Sequence, residues 1–212
     1  MTVIVVIAQV LAVWVLTDFL SGVFHWLEDA YGRPTWPIVG RHVTKPNILH
    51  HYVPRAFVTN SWFVTSRSLL ALCTVIVAIT VALGVFNWMV ALAMMLGANA
   101  NQVHKWSHRS RRENGPVVTM LQRLRLIQSP SQHQQHHQHG KDSHYCVLTD
   151  FLNPVLDGLG FWRGAERAIL RAFGVARRND EAMAREVLES DPGFFGDHLE
   201  AVRQQLARHG TA

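Results

Sequence analysis

Eight of the thirteen histidines in this 212-residue chain fall into four tight groups. Neutral imidazole is the commonest protein ligand for transition metals, and side chains three or four residues apart lie on one face of a helix. The groups are His25, which is followed by Asp29; the pair His50 and His51; the pair His104 and His108; and His133, His136 and His137. Four such groups in one chain predict a polyhistidine metal site.

Some of these groups also have interpretations that involve no metal. His104 and His108 could be polar residues at the interfacial end of a helix. The glutamine-rich run at 132–139 could be a polar loop with adventitious metal affinity. The pair His50-His51 is a weak indication by itself. Adjacent helical residues point about 100° apart, so these two could serve two different metals.

The number of histidines also indicates the metal. Eight imidazoles with a carboxylate nearby exceed the four ligands of a typical zinc site; they suit two first-row metal ions, and imidazole is a good ligand for iron. Two irons at a membrane surface could activate O2 to attack an unactivated C–H bond, and a lipid chain supplies such a bond there. The chain has no G-x-G-x-x-G or P-loop motif, so we expect electrons to come from a separate protein.

The distribution of charge predicts helices that cross a membrane. Charged residues make up 17% of the chain, against about 25% in a typical soluble domain. Residues 1–27 carry only Asp18, and residues 68–104 contain no Asp, Glu, Lys or Arg. The second stretch is too long for one crossing, which needs about 20 residues, and Gly84 to Asn87 has the composition of a turn. We therefore predict three membrane helices, at roughly 3–25, 66–84 and 87–108.

Two alternatives fit the apolar stretches less well. A cleaved signal peptide has a basic n-region and a small-residue cleavage site, and the first stretch lacks both. A buried helical hairpin in a soluble protein would need more apolar surface than the rest of the chain offers.

The positions of the basic residues predict the orientation. All twenty lysines and arginines lie in segments 33–67 and 105–212. With three spans these segments share one side, which the positive-inside rule makes cytoplasmic, so the N-terminus and the turn at 84–87 lie outside. Three spans bring every histidine group to the cytoplasmic side, whereas two would separate His25 from His104. In a bacterium this membrane would be the inner one.

The fold class predicted by these patterns is an all-α integral membrane protein. About three transmembrane helices and several cytoplasmic interfacial helices surround a histidine-rich di-metal site on the cytoplasmic side. The net charge of +5 sets the topology and suits contact with anionic lipid, and we expect no nucleic acid partner. Cys73 and Cys146 have neither metal-site nor redox-motif spacing, and we expect no disulfide.

Two polar residues are predicted to support the ligands. Asp18, Gly22, His25 and Asp29 form one helical stripe, and an Asp inside a span usually marks function. Asp18 could orient His25 through a hydrogen bond, or it could only join two helices, while Gly22 would admit a neighbouring helix closely. Asn101 shares a helical face with His104 and is predicted to support it.

Beyond the histidines the chain divides into two parts. The sequence of residues 117–127 predicts an interfacial helix. The sequence of residues 151–162 predicts a segment that lies along the membrane surface. We predict a membrane-embedded domain at 1–174 and a charged, amphipathic cytoplasmic helical tail at 175–212, without site-like residues.

The ordered motifs of the chain resemble the lipid desaturase family, which includes the animal plasmanylethanolamine desaturase, the myxobacterial protein CarF and a plant plastid phosphatidylglycerol desaturase. The resemblance runs from Asp18 to Glu166. It rests on D-x3-G-x2-H-W-x2-D at 18–29, P-I-V-G at 37–40, K-P at 45–46, H-H at 50–51, N-Q-V-H-K-W-S-H at 101–108, H-x2-H-H at 133–137, Y-C at 145–146, L-N at 152–153 and G-F-W at 160–162.

The resemblance implies an O2-dependent di-iron enzyme that acts on a membrane phospholipid. Its electrons would come from a ferredoxin or a cytochrome b5-type protein, and in the animal and CarF branches it forms the vinyl ether bond of plasmalogens from an alkyl ether lipid. Asp29 is implied as an iron ligand or its support, and the implied iron ligands are His25, His50, His51, His104, His108, His133, His136 and His137.

One position departs from the family pattern. The animal members carry a further histidine four residues beyond the H-x2-H-H doublet, where this chain has Lys141. His139 or His144 could replace it, or the ligand is dispensable. The remaining histidines, His42, His198 and His209, match no family motif and are predicted to be ordinary surface residues.

Two alternative functions remain on the sequence alone. An acyl-lipid desaturase or hydroxylase would use the same ligands on the same scaffold. A non-enzymatic membrane protein that binds or transports metal would place ionisable residues deep in its spans, and only Asp18 does so.

Overall fold

A computed structural model describes residues 2–138 and 141–209, and every regular element within these ranges is helical, which confirms the all-α prediction. A π-helical turn at Gly40–Thr44 precedes the second helix, and a 3-10 helix at Pro192–His198 precedes the last. The α-helices are α1 (Val3–Tyr31), α2 (Lys45–Tyr52), α3 (Trp62–Ala82), α4 (Trp88–Ala98), α5 (Ala100–Ser107), α6 (Arg111–Arg123), α7 (Pro130–His136), α8 (Leu152–Gly158), α9 (Phe161–Phe173), α10 (Asp180–Ser190) and α11 (Leu199–His209).

Helix α1 has different surroundings along its length. Its N-terminal half exposes large apolar side chains such as Ile4 and Leu11. Its C-terminal half has one buried face, which consists of Thr17, Asp18, Gly22, His25, Trp26, Asp29 and Ala30. Residues three or four apart share a helical face, so the buried residues form one stripe on the C-terminal half. The N-terminal half can face lipid, while this stripe faces the protein interior.

Two of the three predicted spans are helices long and apolar enough to cross a membrane, among the residues described. The first continues to Tyr31, beyond the predicted end at 25, and the second begins at Trp62 rather than at 66. The predicted turn between the second and third spans is present, with Gly84 at φ 69° and Asn87 capping α4 through its side chain.

The third predicted span, at 87–108, is not one continuous helix. It is divided into the 11 residues of α4 and the 8 residues of α5. At the break the Asn99 amide donates to the Met95 carbonyl at 2.9 Å and its side-chain oxygen accepts from the Trp62 indole at 2.9 Å. Asparagine side chains compete with helical backbone hydrogen bonds in this way, which accounts for the interruption of the helix at Asn99.

An irregular segment from Tyr145 to Thr149 packs against α1. A Cβ atom at Gly22 would lie 2.6 Å from the Cys146 sulfur and 3.1 Å from its backbone nitrogen, so only glycine permits this approach. The position of Gly22 in the helical stripe had suggested that it admits a neighbouring helix. The neighbour is instead this irregular segment. Buried backbone groups need partners, and the Asn153 side chain bonds both the Cys146 N–H and carbonyl, at 2.9 and 2.8 Å.

The tail packs on helix α2. Its apolar side chains form one buried cluster with Ile48 and Tyr52, to which the tail contributes Met183, Ala184, Val187, Phe195, Val202 and Leu206. Full burial of each large side chain stabilises the fold by about 1.5–3 kcal/mol. The tail is thus held firmly against the helix that carries His50 and His51.

Candidate metal centre

Seven of the eight predicted histidine ligands lie at the C-terminal ends of three short helices. His50 and His51 are in the last turn of α2, His104 and His108 end α5, and His133, His136 and His137 end α7. A helix C-terminus carries a partial negative charge of about half an elementary charge. Three such ends converge here, which favours a bound cation.

The nine predicted ligands divide into two sets, within each of which the ligand atoms lie within 4.8 Å of one another. We call them the five-histidine group, which is His50, His104, His108, His133 and His137, and the Asp29 group, which is His25, Asp29, His51 and His136. The adjacent residues His50 and His51 belong to different groups, as do His136 and His137. The two groups are adjacent: the ring centre of His25, in the Asp29 group, is 5.7 Å from that of His104, in the five-histidine group.

The five-histidine group has the spacing that a metal ion requires. The Nε2 atom of His104 lies 3.0 Å from that of His50 and 2.9 Å from that of His133, and His137 Nε2 lies 3.0 Å from His133 Nε2. Metal–nitrogen bonds of about 2.1 Å at right angles place two nitrogens about 3 Å apart. A facing pair of imidazole nitrogens can share only one proton, so a cation satisfies their lone pairs better.

The Asp29 group surrounds one carboxylate with three imidazoles. The carboxylate oxygens lie 3.4 Å from His136 Nε2, 3.6 Å from His51 Nε2 and 3.7 Å from His25 Nε2. Asn47 donates a hydrogen bond to Oδ1, whereas Oδ2 and the Nε2 of His25 are buried without a hydrogen-bond partner in the described part of the chain. Buried polar atoms are seldom left unpaired, so these two atoms fit metal ligands.

Burial keeps the imidazoles neutral. It lowers the pKa of His50, His133 and His136 well below the usual value, and neighbouring imidazoles would add to the repulsion of a positive charge. The same causes lower the pKa of His137 to about 2. Their lone pairs are therefore available to a metal at neutral pH.

Each histidine of the Asp29 group is oriented by an acceptor on its outer nitrogen. The Nδ1 atoms of His25, His51 and His136 lie 3.1 Å from the Tyr145 carbonyl, 2.8 Å from an Asp180 oxygen and 2.8 Å from the Ser143 carbonyl, respectively. Such bonds turn Nε2 towards a metal. Sequence reasoning missed all three acceptors: backbone carbonyls carry no side-chain signal, and Asp180 lies in the tail, which was predicted to contain no site-like residues.

The two predicted supporting residues contact other parts of the chain. Asp18 accepts hydrogen bonds from the Leu148 N–H at 2.9 Å and from the Thr149 hydroxyl, so it positions the irregular segment rather than the ring of His25. Asn101 donates to the Thr65 carbonyl at 3.0 Å. It thereby joins α5 to α3 rather than supporting His104.

Of the two possible replacements for the missing family histidine, only His144 lies within the described residues. His144 pairs with Asp157 at 2.8 Å and belongs to neither set among the described residues. His139 lies outside the described residues. Lys141 itself pairs with Asp180 at 2.6 Å.

A cavity of about 360 Å³ lies beside both groups and reaches His25, His50 and His104. One part of its wall is polar and includes Glu28, Asn47 and Arg67. The rest is largely apolar and comes from α1, α3 and α4, including Leu20, Leu69, Leu72, Ile76, Ala93 and Met94. Its lining suits a long apolar chain with a polar end.

Comparison with known proteins identifies the family of the chain. The family model of the lipid desaturase domain matches residues 14–180. The plasmanylethanolamine desaturase of Myxococcus xanthus is 31% identical over 95% of this chain and 75% of its own length. Plasmanylethanolamine desaturase 1 of Mus musculus is 32% identical over 83% of this chain and 69% of its own. Fatty acid desaturase 4-like 1, chloroplastic, of Arabidopsis thaliana is 29% identical over 86% and 63%.

No solved structure matches the chain. The matched region 14–180 contains both ligand groups and ends at Asp180. Because it covers most of the sequence, and because two relatives of over 30% identity align with most of it, the chain belongs to the lipid desaturase family.

Proposed function

We propose that this protein is an O2-dependent di-iron lipid desaturase that forms the vinyl ether bond of plasmalogens from an alkyl ether phospholipid. The observation that carries the proposal is the division of nine ligands into two adjacent groups beside an apolar cavity. The names of the relatives from Myxococcus xanthus and Mus musculus support this reaction.

The five-histidine group and the Asp29 group would each hold one iron ion. When bound, the two irons supply the activation of O2 and the oxidation of a C–H bond, with electrons from a ferredoxin or cytochrome b5-type donor. The protein's own contribution is to hold neutral imidazoles in place and to present one substrate carbon. Water is excluded from the groups because His50, His51, His133 and His136 are all buried.

The cavity would hold the phospholipid with its head group at the polar end. On α3, Ile76 lies about 13 Å from Arg67 along the helix axis, so an alkyl chain can run from the polar to the apolar wall. His25 is one turn from Glu28, and His50 is one turn from Asn47. The metals would thus face a carbon near the head group, where the vinyl ether bond of a plasmalogen forms.

The polar end offers a carboxyl group and a guanidinium group. Glu28 and Arg67 line the cavity, and neither forms an ion pair with another described residue. The guanidinium suits the phosphate of a phospholipid, and the carboxyl group can accept a hydrogen bond from the amine of a phosphoethanolamine head group. This arrangement supports an ethanolamine phospholipid as the substrate.

The principal alternative is an acyl-lipid desaturase or hydroxylase, which the similarity to a chloroplast fatty acid desaturase-like protein favours. Expression in a host supplied with an alkyl ether phospholipid, followed by mass spectrometry, separates the two. We expect a product two hydrogens lighter that releases an aldehyde in acid. A new acyl double bond or a hydroxyl group, with the ether chain intact, would instead establish the alternative.

The cavity makes a prediction about α4. Ala93→Trp fills the wall of the cavity with an indole and should lower the turnover of the ether lipid at least about tenfold, since a misplaced substrate loses its reactive geometry. Iron content should not change, because Ala93 is not a ligand. Ala91→Trp is the matched control: Ala91 is exposed on the same helix and does not line the cavity. Equal loss in both variants would argue against the cavity as the chain site.

We also propose three membrane crossings, namely α1, α3 and the broken pair α4 and α5. A reporter inserted at Asn87 should then report a position outside the cytoplasm. A reporter fused after Ala212 should report a cytoplasmic position, as the positive-inside rule requires. A cytoplasmic signal from Asn87 would contradict the arrangement with three crossings. Intact cells carrying each fusion provide the measurement.

A further inference from the structure

The tail supplies a carboxylate to the metal centre. Asp180 begins α10, and its Oδ1 lies 2.8 Å from Nδ1 of His51 while its Oδ2 lies 2.6 Å from the Lys141 ammonium. The His51 side chain is 1% exposed and that of Asp180 13%. The carboxylate therefore bridges an iron ligand and a cation in a site with little water.

The position of Asp180 is fixed by the tail helices. Asn179 caps α10 by accepting hydrogen bonds from the N–H groups of Glu181 and Ala182, at 2.8 and 3.2 Å. Met183 and Val187 of the same helix pack against α2, which carries His51. A carboxylate in the first helical turn is further stabilised by the partial positive charge there.

The contact sets the orientation of His51. When Nδ1–H donates to Asp180, Nε2 keeps its lone pair and faces Asp29 and His136, whose ligand atoms are 3.6 and 3.3 Å away. A carboxylate behind a ligating imidazole also raises the basicity of that ligand, and losing such a contact typically costs about 10–100-fold in metal affinity.

The two groups differ in this respect. All three histidines of the Asp29 group have an Nδ1 acceptor. In the five-histidine group, Nδ1 of His50, His133 and His137 is buried and finds no hydrogen-bond partner within the described ranges. The supporting contacts therefore belong to the Asp29 group.

We propose that Asp180 is a positioning residue which, through His51, makes the Asp29 group the tighter of the two iron positions, and that the tail is thereby part of the metal centre. This inference rests on the proposed function only for the identity of the metal. The tail is accordingly more than the appendage that its sequence suggested.

The test compares iron release from full-length variants in detergent. With an excess of a coloured Fe²⁺ chelator, the wild-type protein should release iron in a fast and a slow phase. Asp180→Ala should accelerate only the slow phase, by about 10–100-fold. Asp180→Asn keeps an oxygen that accepts from His51 but loses the charge, so its slow phase should fall between the two. In Mössbauer spectra of ⁵⁷Fe-loaded protein, only one of two iron signals should change.

Asp191→Asn is the matched control. Asp191 is also a tail carboxylate, and it pairs with Lys45 at 2.6 Å without contact to a histidine. Its variant should release both irons at the wild-type rates. Wild-type release from Asp180→Ala, or equal acceleration in Asp191→Asn, would overturn the proposal. Failure of the proposed function would appear differently, as the absence of vinyl ether product or as the presence of a metal other than iron. The release of that other metal would test the role of Asp180 in the same way.

Discussion

Replacing either His104 or His136 by alanine should abolish lipid desaturation and remove iron. His104 belongs to the five-histidine group and His136 to the Asp29 group. The proposed reaction would use both metals, so either variant should fall below the detection limit. Iron content should decrease from about two ions per chain towards one, because each variant weakens one position and leaves the ligands of the other.

The measurement is elemental analysis of the purified variants together with mass spectrometry of the lipid product. His198→Ala is the control, since His198 ends the 3-10 helix of the tail and belongs to neither group. It should retain both iron and activity. A wild-type protein that holds one tightly bound zinc and no iron would contradict the desaturase chemistry itself.

The four histidine motifs could be recognised from the sequence because the spacing within each motif is local. Two helical residues four apart share a face whatever the rest of the chain does, which applies to His104 and His108. The angle between adjacent residues likewise predicted that His50 and His51 could serve two metals, and they lie in different groups. The family resemblance extended this to the whole set, and the family match confirms the resemblance.

The supporting contacts could not be predicted, because they join distant parts of the chain. Asp180 contacts His51 only because an apolar cluster docks α10 on α2, and no local pattern fixes that docking. Asp18 faces the irregular segment because Gly22 allows Cys146 to approach α1. The break at Asn99 depends on the indole of Trp62, which lies on another helix.

The last prediction separates the two carboxylates of α1. Asp29→Ala should remove activity and lower the iron content, because the carboxylate stands between three imidazoles and its Oδ2 has no other partner in the described ranges. Asp18 lies about 16 Å away along the helix axis. Asp18→Asn should therefore keep both irons.

Asp18→Asn should act on stability instead. The amide oxygen can still accept a hydrogen bond from the Leu148 N–H. The negative charge, which strengthens both this bond and the bond from the Thr149 hydroxyl, is lost. Hydrogen bonds to charged groups are stronger than neutral ones, so we expect the free energy of unfolding to fall by about 1–3 kcal/mol. A thermal melt followed in detergent measures this loss.

Asp18→Asn can affect activity through the backbone segment that Asp18 holds. The segment that Asp18 holds begins at Tyr145, whose carbonyl accepts from the ring of His25. A looser segment would orient that ring less well, which should reduce turnover moderately and leave the iron in place. If Asp18→Asn instead stripped the iron while Asp29→Ala stayed active, the metals would lie deeper along α1 than the Asp29 group, and both iron positions would have to be reassigned.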